Sequence, residues 1–224
     1  MPRKTRGRNT AQQVLDSAAR LVQTRGFNGF SYAGIAAELG VTKATLHDHF
    51  PTKAELGRAP IARYEQESAA LLAEIGADVD SGEHDKLRRY VKIDADVLQQ
   101  DRMCMCGVLG GEHATLTEAM RRGLQHFFDV NESWLARVLE RGRRQRQLRF
   151  SGSPLDQGRL LVGALESAMM LARSYAEASR FRVATNRLLP QLRPLAMVAA
   201  RASTPGARGA VAAPGRRTSV KQRA

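Results

Sequence analysis

Residues 31–53 read SYAGIAAELGVTKATLHDHFPTK, and the rest of the chain is organised around them. Ile35, Ala36 and Leu39 are spaced as one helix face requires. Gly40 follows, where a chain leaving a helix needs a residue that tolerates positive φ. Val41 can plug the gap between two helices, and Thr42 can cap the second by accepting a bond from an early backbone N–H. Leu46 and Phe50 sit four apart and turn inward, and Pro51 ends the segment. Thr42, Lys43, Thr45, His47 and His49 are left facing outward, with no acid among them. A helix pair with one uncharged-to-basic face is the helix-turn-helix pattern, whose second helix lies in the DNA major groove.

The order of residues also resembles a known family. Gly26-Phe27, Ile35-Ala36, Gly40-Val41-Thr42-Lys43-Ala44-Thr45-Leu46 and His49-Phe50-Pro51-Thr52-Lys53-Ala54-Glu55-Leu56 look like the N-terminal domain of TetR-type (TetR/AcrR) transcriptional regulators. The resemblance spans residues 9–56. His47 stands where most members carry Tyr, and Ser31-Tyr32 replaces the more usual opening pair. It implies an all-α chain with an N-terminal three-helix helix-turn-helix domain and a C-terminal helical ligand-binding and dimerisation domain. It also implies a double-stranded DNA operator, a homodimeric partner and a small-molecule effector.

Composition agrees with helices throughout. Hydrophobic residues make up 43% of the 224 and aromatics only 5%, and long β-branched runs are missing. The formal charge is +13, and ten of those charges come from Arg3, Lys4, Arg6, Arg8, Arg201, Arg208, Arg216, Arg217, Lys221 and Arg223. A basic arm suits nucleic acid, and no lipidation or amphipathic signal points to a membrane surface instead. No apolar run approaches bilayer length, and no apolar segment follows the charged N-terminus as in a secretory signal. A cytoplasmic protein is expected. The divisions expected are a basic disordered arm (1–8), the DNA-binding domain (9–56, motif 31–50), a helical domain (57–200) and a disordered basic tail (201–224).

Along the chain, residues 10–24 predict a first helix. Lys53 opens a longer one, to about Ile75, in which Pro60 should introduce a kink. A helix from Glu83 to about Gln100, a glycine-rich stretch that forbids a long helix, and a helix capped by Thr117 follow. Pro154 opens a helix whose Leu160, Leu161, Ala164, Leu165, Ala168, Met169, Ala172 and Tyr175 cover more than one face. That breadth fits either a central core helix or one shared with a partner subunit; the resemblance favours the second. Residues 181–200 predict a last helix, bent by Pro190 and Pro194.

The expected DNA-facing set is Ser31, Tyr32, Thr42, Lys43, Thr45, His47, His49 and Lys53. The threonines can donate to phosphate or touch a thymine methyl, and Lys43 can reach a guanine edge. Lys53 adds its charge to the free N–H groups of a helix start. Cys104 and Cys106 cannot bind one metal together, since residues i and i+2 of a helix diverge by about 200°. They read either as two small buried hydrophobes or as a sensing thiol, Arg102 and a following helix start favouring ionisation of Cys104. Met103, Phe127, Trp134, Met169 and Tyr175 are candidate walls of an effector pocket, or plain core. No catalytic constellation, metal site or cofactor is expected. Two functions follow: a homodimeric repressor released by a small molecule or thiol modification, or a constitutive architectural DNA-binding protein.

Overall fold

The structure is a computed structural model that describes residues 3–194, with the backbone alone described for residues 3–9. The expected tail (201–224) and residues 195–200 lie outside the described residues. Among the described residues every regular element is helical.

Three helices build the N-terminal unit: α1 (Arg3–Arg25), α2 (Tyr32–Leu39) and α3 (Lys43–His49). Val14, Ala18 and Val22 of α1 are buried with Ile35, Ala36 and Leu46, closing a small core. The helix begins at Arg3 rather than Thr10. Arg, Lys and Gln lose little rotamer freedom in a helix, and no proline follows Pro2 to interrupt it.

α4 (Lys53–Ala77) runs from the DNA-reading unit into the body of the protein. It opens on a capping box: Thr52 Oγ accepts the Glu55 N–H at 3.1 Å, and the Glu55 carboxylate accepts the Thr52 N–H at 3.2 Å. Pro60 lies inside this helix without ending it. An interior proline costs about 3 kcal/mol. Burial of the adjacent Leu56 and Ile61, each worth about 1.5–3 kcal/mol, offsets that.

The body continues with α5 (Glu83–Gln99), α6 (Met105–Gly111), a 3₁₀ turn (His113–Thr115), α7 (Glu118–Arg144), α8 (Pro154–Ser174) and α9 (Ser179–Leu188). Thr117 and Ser153 cap α7 and α8, accepting the Met120 and Asp156 N–H groups. α7 is the central helix, burying Met120, Leu124, Phe127, Trp134, Leu135, Val138 and Leu139. α8 lies so close that a Cβ on Gly158 would stand 3.0 Å from the Glu132 carbonyl oxygen. The last helix is shorter than expected. It stops at Leu188 and passes into a 3₁₀ turn (Leu189–Leu192), where Pro190 has no N–H to continue the α-helical bonding.

A buried charge cluster fixes the start of α5 against the end of α7. Glu83 accepts from Lys86 at 3.1 Å and from Arg141 at 3.2 Å, while its own N–H donates to the Gln147 side-chain oxygen at 2.7 Å. Glu83 and Lys86 are both buried, so each needs the other.

Candidate functional site

The α2–α3 turn has the backbone that its residues predict. Gly40 takes φ 64°, ψ 32°, and its N–H returns to the end of α2. Ser31 caps α2 through the Gly34 N–H at 3.2 Å, and Thr42 caps α3 through the Thr45 N–H at 3.1 Å. Lys43 is exposed, and among the described residues no hydrogen bond or ion pair holds its ammonium.

The other expected contacts are more constrained than a bare outward face. The Thr42 and Thr45 hydroxyls bond each other at 2.9 Å, which leaves one of their two hydrogens for DNA. His47 stacks on Tyr32, ring centroids 4.4 Å apart, and its Nδ1 lies 3.1 Å from the Pro51 carbonyl. Tyr32 in turn donates to the Phe50 carbonyl at 2.6 Å, and burial raises its hydroxyl pKa. Tyr32 and His47 therefore brace the two helices together. Lys53 hangs over Phe27 and Phe30, 4.8 and 4.9 Å from their centroids, and His49 is half-buried. The sequence reading passed over Ala44 and Asp48, both exposed on α3. Arg20 pairs with Glu38, joining α1 to α2.

The second site is a cavity of about 430 Å³ between α1, α4, α5, α7 and α8. Tyr64 and Phe127 form one wall, centroids 5.5 Å apart. Tyr90 forms another, held by a 3.1 Å bond to Asn131, whose amide donates to the Phe127 carbonyl at 2.8 Å. Asp94 and Glu166 face the same space. Burial pushes Asp94 up to about 8, with Glu166 adding to it, and burial raises Glu166 as well.

Of the expected pocket residues, only Cys104 and Phe127 line this cavity. Trp134 stacks behind Tyr90 at 5.6 Å and supports the wall without forming it. Met169 is core, and Met103 lines a neighbouring groove. Tyr175 is 62% exposed beneath the Arg180 guanidinium and is no wall at all. Both thiols lie inside the protein. Cys104 is 2% exposed and Cys106 fully buried, and burial raises both thiol pKa values, with Glu166 adding to each. Cys104 lines the cavity with Tyr64 and Glu166, and its side chain makes no cap to α6.

Two sets of bonds join α1 and the α1–α2 turn to the segments on either side of α6, and of their residues Gln23 also lines the cavity. Gln23 and Met103 exchange bonds, side-chain amide to carbonyl at 3.1 Å and backbone N–H to carbonyl at 3.2 Å. Glu112, after α6, accepts the Phe27 N–H at 2.6 Å, and Thr115 accepts from the Asn28 amide at 2.8 Å. Both sets join residues far apart in sequence, and no local signal announces them.

Residues 14–59 match the family described as bacterial regulatory proteins, tetR family. A TetR-family transcriptional regulator from Agrobacterium tumefaciens superposes with a TM-score of 0.80 at 28% identity, covering 84% of this chain and all of that one. Its N-terminal domain is that of the TetR family. The chain is a DNA-binding transcriptional regulator, and its fold is the TetR fold. The TetR-type repressor NemR of Escherichia coli is 24% identical over 168 residues, 74% of this chain and 84% of its own length. The nucleoid occlusion factor SlmA of Vibrio atlanticus is 28% identical over 174 residues, again 74% and 84%.

Proposed function

We propose that this protein is a homodimeric repressor that a small molecule, bound in the α1–α4–α5–α7–α8 cavity, releases from its operator. The observation that carries this reading is the course of α4. Its first residue, Lys53, lies at the DNA-reading unit, and its Arg63, Tyr64 and Glu67 line the cavity. A ligand that displaces Tyr64 must move α4, α1 or both, and the Gln23–Met103 and Phe27–Glu112 bonds carry that movement to α1 and the α1–α2 turn. Two recognition helices must enter successive major grooves about 34–36 Å apart, so a small change in their separation weakens binding.

The dimer rests on α8 and α9. Leu160, Met170, Leu171 and Val183 are each more than half exposed, and on α8 they recur at helical spacing with Gly163, Ser167 and Ser174, which admit close approach. An apolar stripe of this extent on one chain marks an interface. A non-covalent effector fits better than thiol modification, since both thiols are buried and protonated.

The test is to select bound sequences from a random DNA pool at moderate salt, then titrate cavity ligands against the selected operator. Sequence-selective binding that a ligand reverses supports the repressor. Uniform affinity across sequences would instead identify a constitutive architectural protein.

A further inference from the structure

The cavity carries more chemistry than a generic apolar pocket. Its aromatic walls are set at two sides by Tyr64 with Phe127 and by Tyr90. Its floor carries two carboxyl groups on different helices, Asp94 from α5 and Glu166 from α8. Glu166 is closely packed: its carboxylate oxygens fill the space that a Cβ on Gly107 would need, and Cys104 lines the same cavity. Asp94 is different. No hydrogen bond or ion pair ties its carboxylate among the described residues, although burial and the nearby Glu166 both oppose its charge. Asp94 is half-buried on the cavity wall, and a carboxylate held there without a partner is costly to ionise.

The cations on the wall do not supply that partner. Arg63 is taken by Asp16 at 2.6 Å and by Glu67 at 3.6 Å. Arg102 lies toward the outside, where it also lines the groove beside Gln13 and Ser17. No group of three or more metal-ligating side chains occurs among the described residues, and about 430 Å³ is the space of an organic molecule.

We propose that the cavity takes an organic monocation with a flat aromatic body, an aryl ammonium or iminium, with Asp94 and Glu166 as its counter-charge. Tyr64, Phe127 and Tyr90 line the cavity, and aromatic rings attract a cation and stack on a flat aromatic body. The positive charge completes the pairing that Asp94 lacks. Asp94, whose pKa burial lifts to about 8, then ionises as the cation enters. This assignment names the ligand class of the effector cavity and so rests on the repressor reading, but its test separates the two.

The probes are thioflavin T, a planar aromatic monocation, its uncharged analogue without the ring N-methyl group, and the anionic dye 1-anilinonaphthalene-8-sulfonate. Each is titrated by fluorescence into the full-length protein, without DNA. Thioflavin T is expected to bind at least about tenfold more tightly than the neutral analogue, as a desolvated ion pair provides. Asp94→Asn and Glu166→Gln preserve shape and should each shrink that preference while leaving affinity for the neutral analogue unchanged. Equal or tighter binding of the neutral or anionic dye overturns the assignment, as does a preference that survives in the double variant. Operator release is read in parallel on the selected DNA. Asp94-dependent cation binding without release keeps this assignment and overturns the effector reading; release by the neutral analogue, with no charge preference, does the reverse.

Discussion

The Glu112 carboxylate accepts the Phe27 backbone N–H at 2.6 Å, across 85 residues of sequence. It locks the turn between α1 and α2 to the segment that follows α6. Phe27 itself is buried and packs edge-on against Phe30, 5.8 Å between centroids, beneath the Lys53 ammonium. A turn of the DNA-reading unit is thus held from the body of the protein by a charge-assisted bond. Glu112→Ala should expose this bond's worth, about 1.5–3 kcal/mol. Amide hydrogen exchange at Phe27 should accelerate correspondingly while exchange in α7 stays slow. Unchanged exchange at Phe27 would show that the bond does not hold the turn.

The recognition helix offers a simpler test. Lys43 begins α3 and is exposed, whereas Leu46, one turn on, is fully buried. Lys43→Ala should therefore weaken binding to a selected operator by about 1–3 kcal/mol if its ammonium reaches a base edge. Helical content by circular dichroism should not change. Full operator affinity in the variant would remove Lys43 from the interface.

The proposed dimer gives the α8 stripe a test of its own. Replacing Leu160 and Leu171, 59% and 52% exposed, by Glu would place four like charges in a two-fold interface. Sedimentation should then show monomers with an intact helical spectrum, and operator affinity should fall because one half-site is lost. A dimer that persists through both substitutions must use another surface.

How much of this was readable beforehand follows from the range of each interaction. Gly40, Thr42 and the Leu46–Phe50 spacing announce their structure because caps and turns involve residues three or four apart. Cys104 misled for the same reason: Arg102 is near in sequence, but the thiol turns inward, where burial and Glu166 reverse the expected shift. Asp94 was invisible, since an acid in the run Lys92-Ile93-Asp94-Ala95-Asp96 reads as one more solvated charge. Lys92 does pair with Asp96, one turn along, and leaves Asp94 facing the cavity. Only the packing of α5 against α4 and α8 separates the two aspartates.

The thiols give a direct check on that corrected reading. A thiol reacts as its thiolate, and burial raises both here. In the native protein neither Cys104 nor Cys106 should react with a mild electrophile at neutral pH on the timescale of the urea-unfolded chain, which should react at least about tenfold faster. Rapid modification of Cys104 in the folded protein would restore the sensing-thiol account.

The carboxyl cluster predicts how stability depends on pH. Asp94 is raised to about 8 in the folded protein, against about 3.9 in an unfolded chain. Between those values the folded state holds a proton that the unfolded state has lost. Stability from this group is therefore fully present below pH 4 and is lost as pH rises toward 8, at up to about 1.4 kcal/mol per pH unit. Glu166 is raised too, so its effect has the same sign. Tyr64, Tyr90 and Cys104, which face the same space, are raised away from this window and stay neutral across it. Urea unfolding between pH 5 and 8 should show the parent losing stability relative to Asp94→Asn as pH rises, because the amide has no proton to release. An added monocation that pairs with the carboxylates should flatten the difference, since it stabilises the ionised form. If parent and variant instead keep a constant gap over this range, Asp94 is ionised throughout. It must then have a partner in solution, and the cavity would not need a cation to complete it.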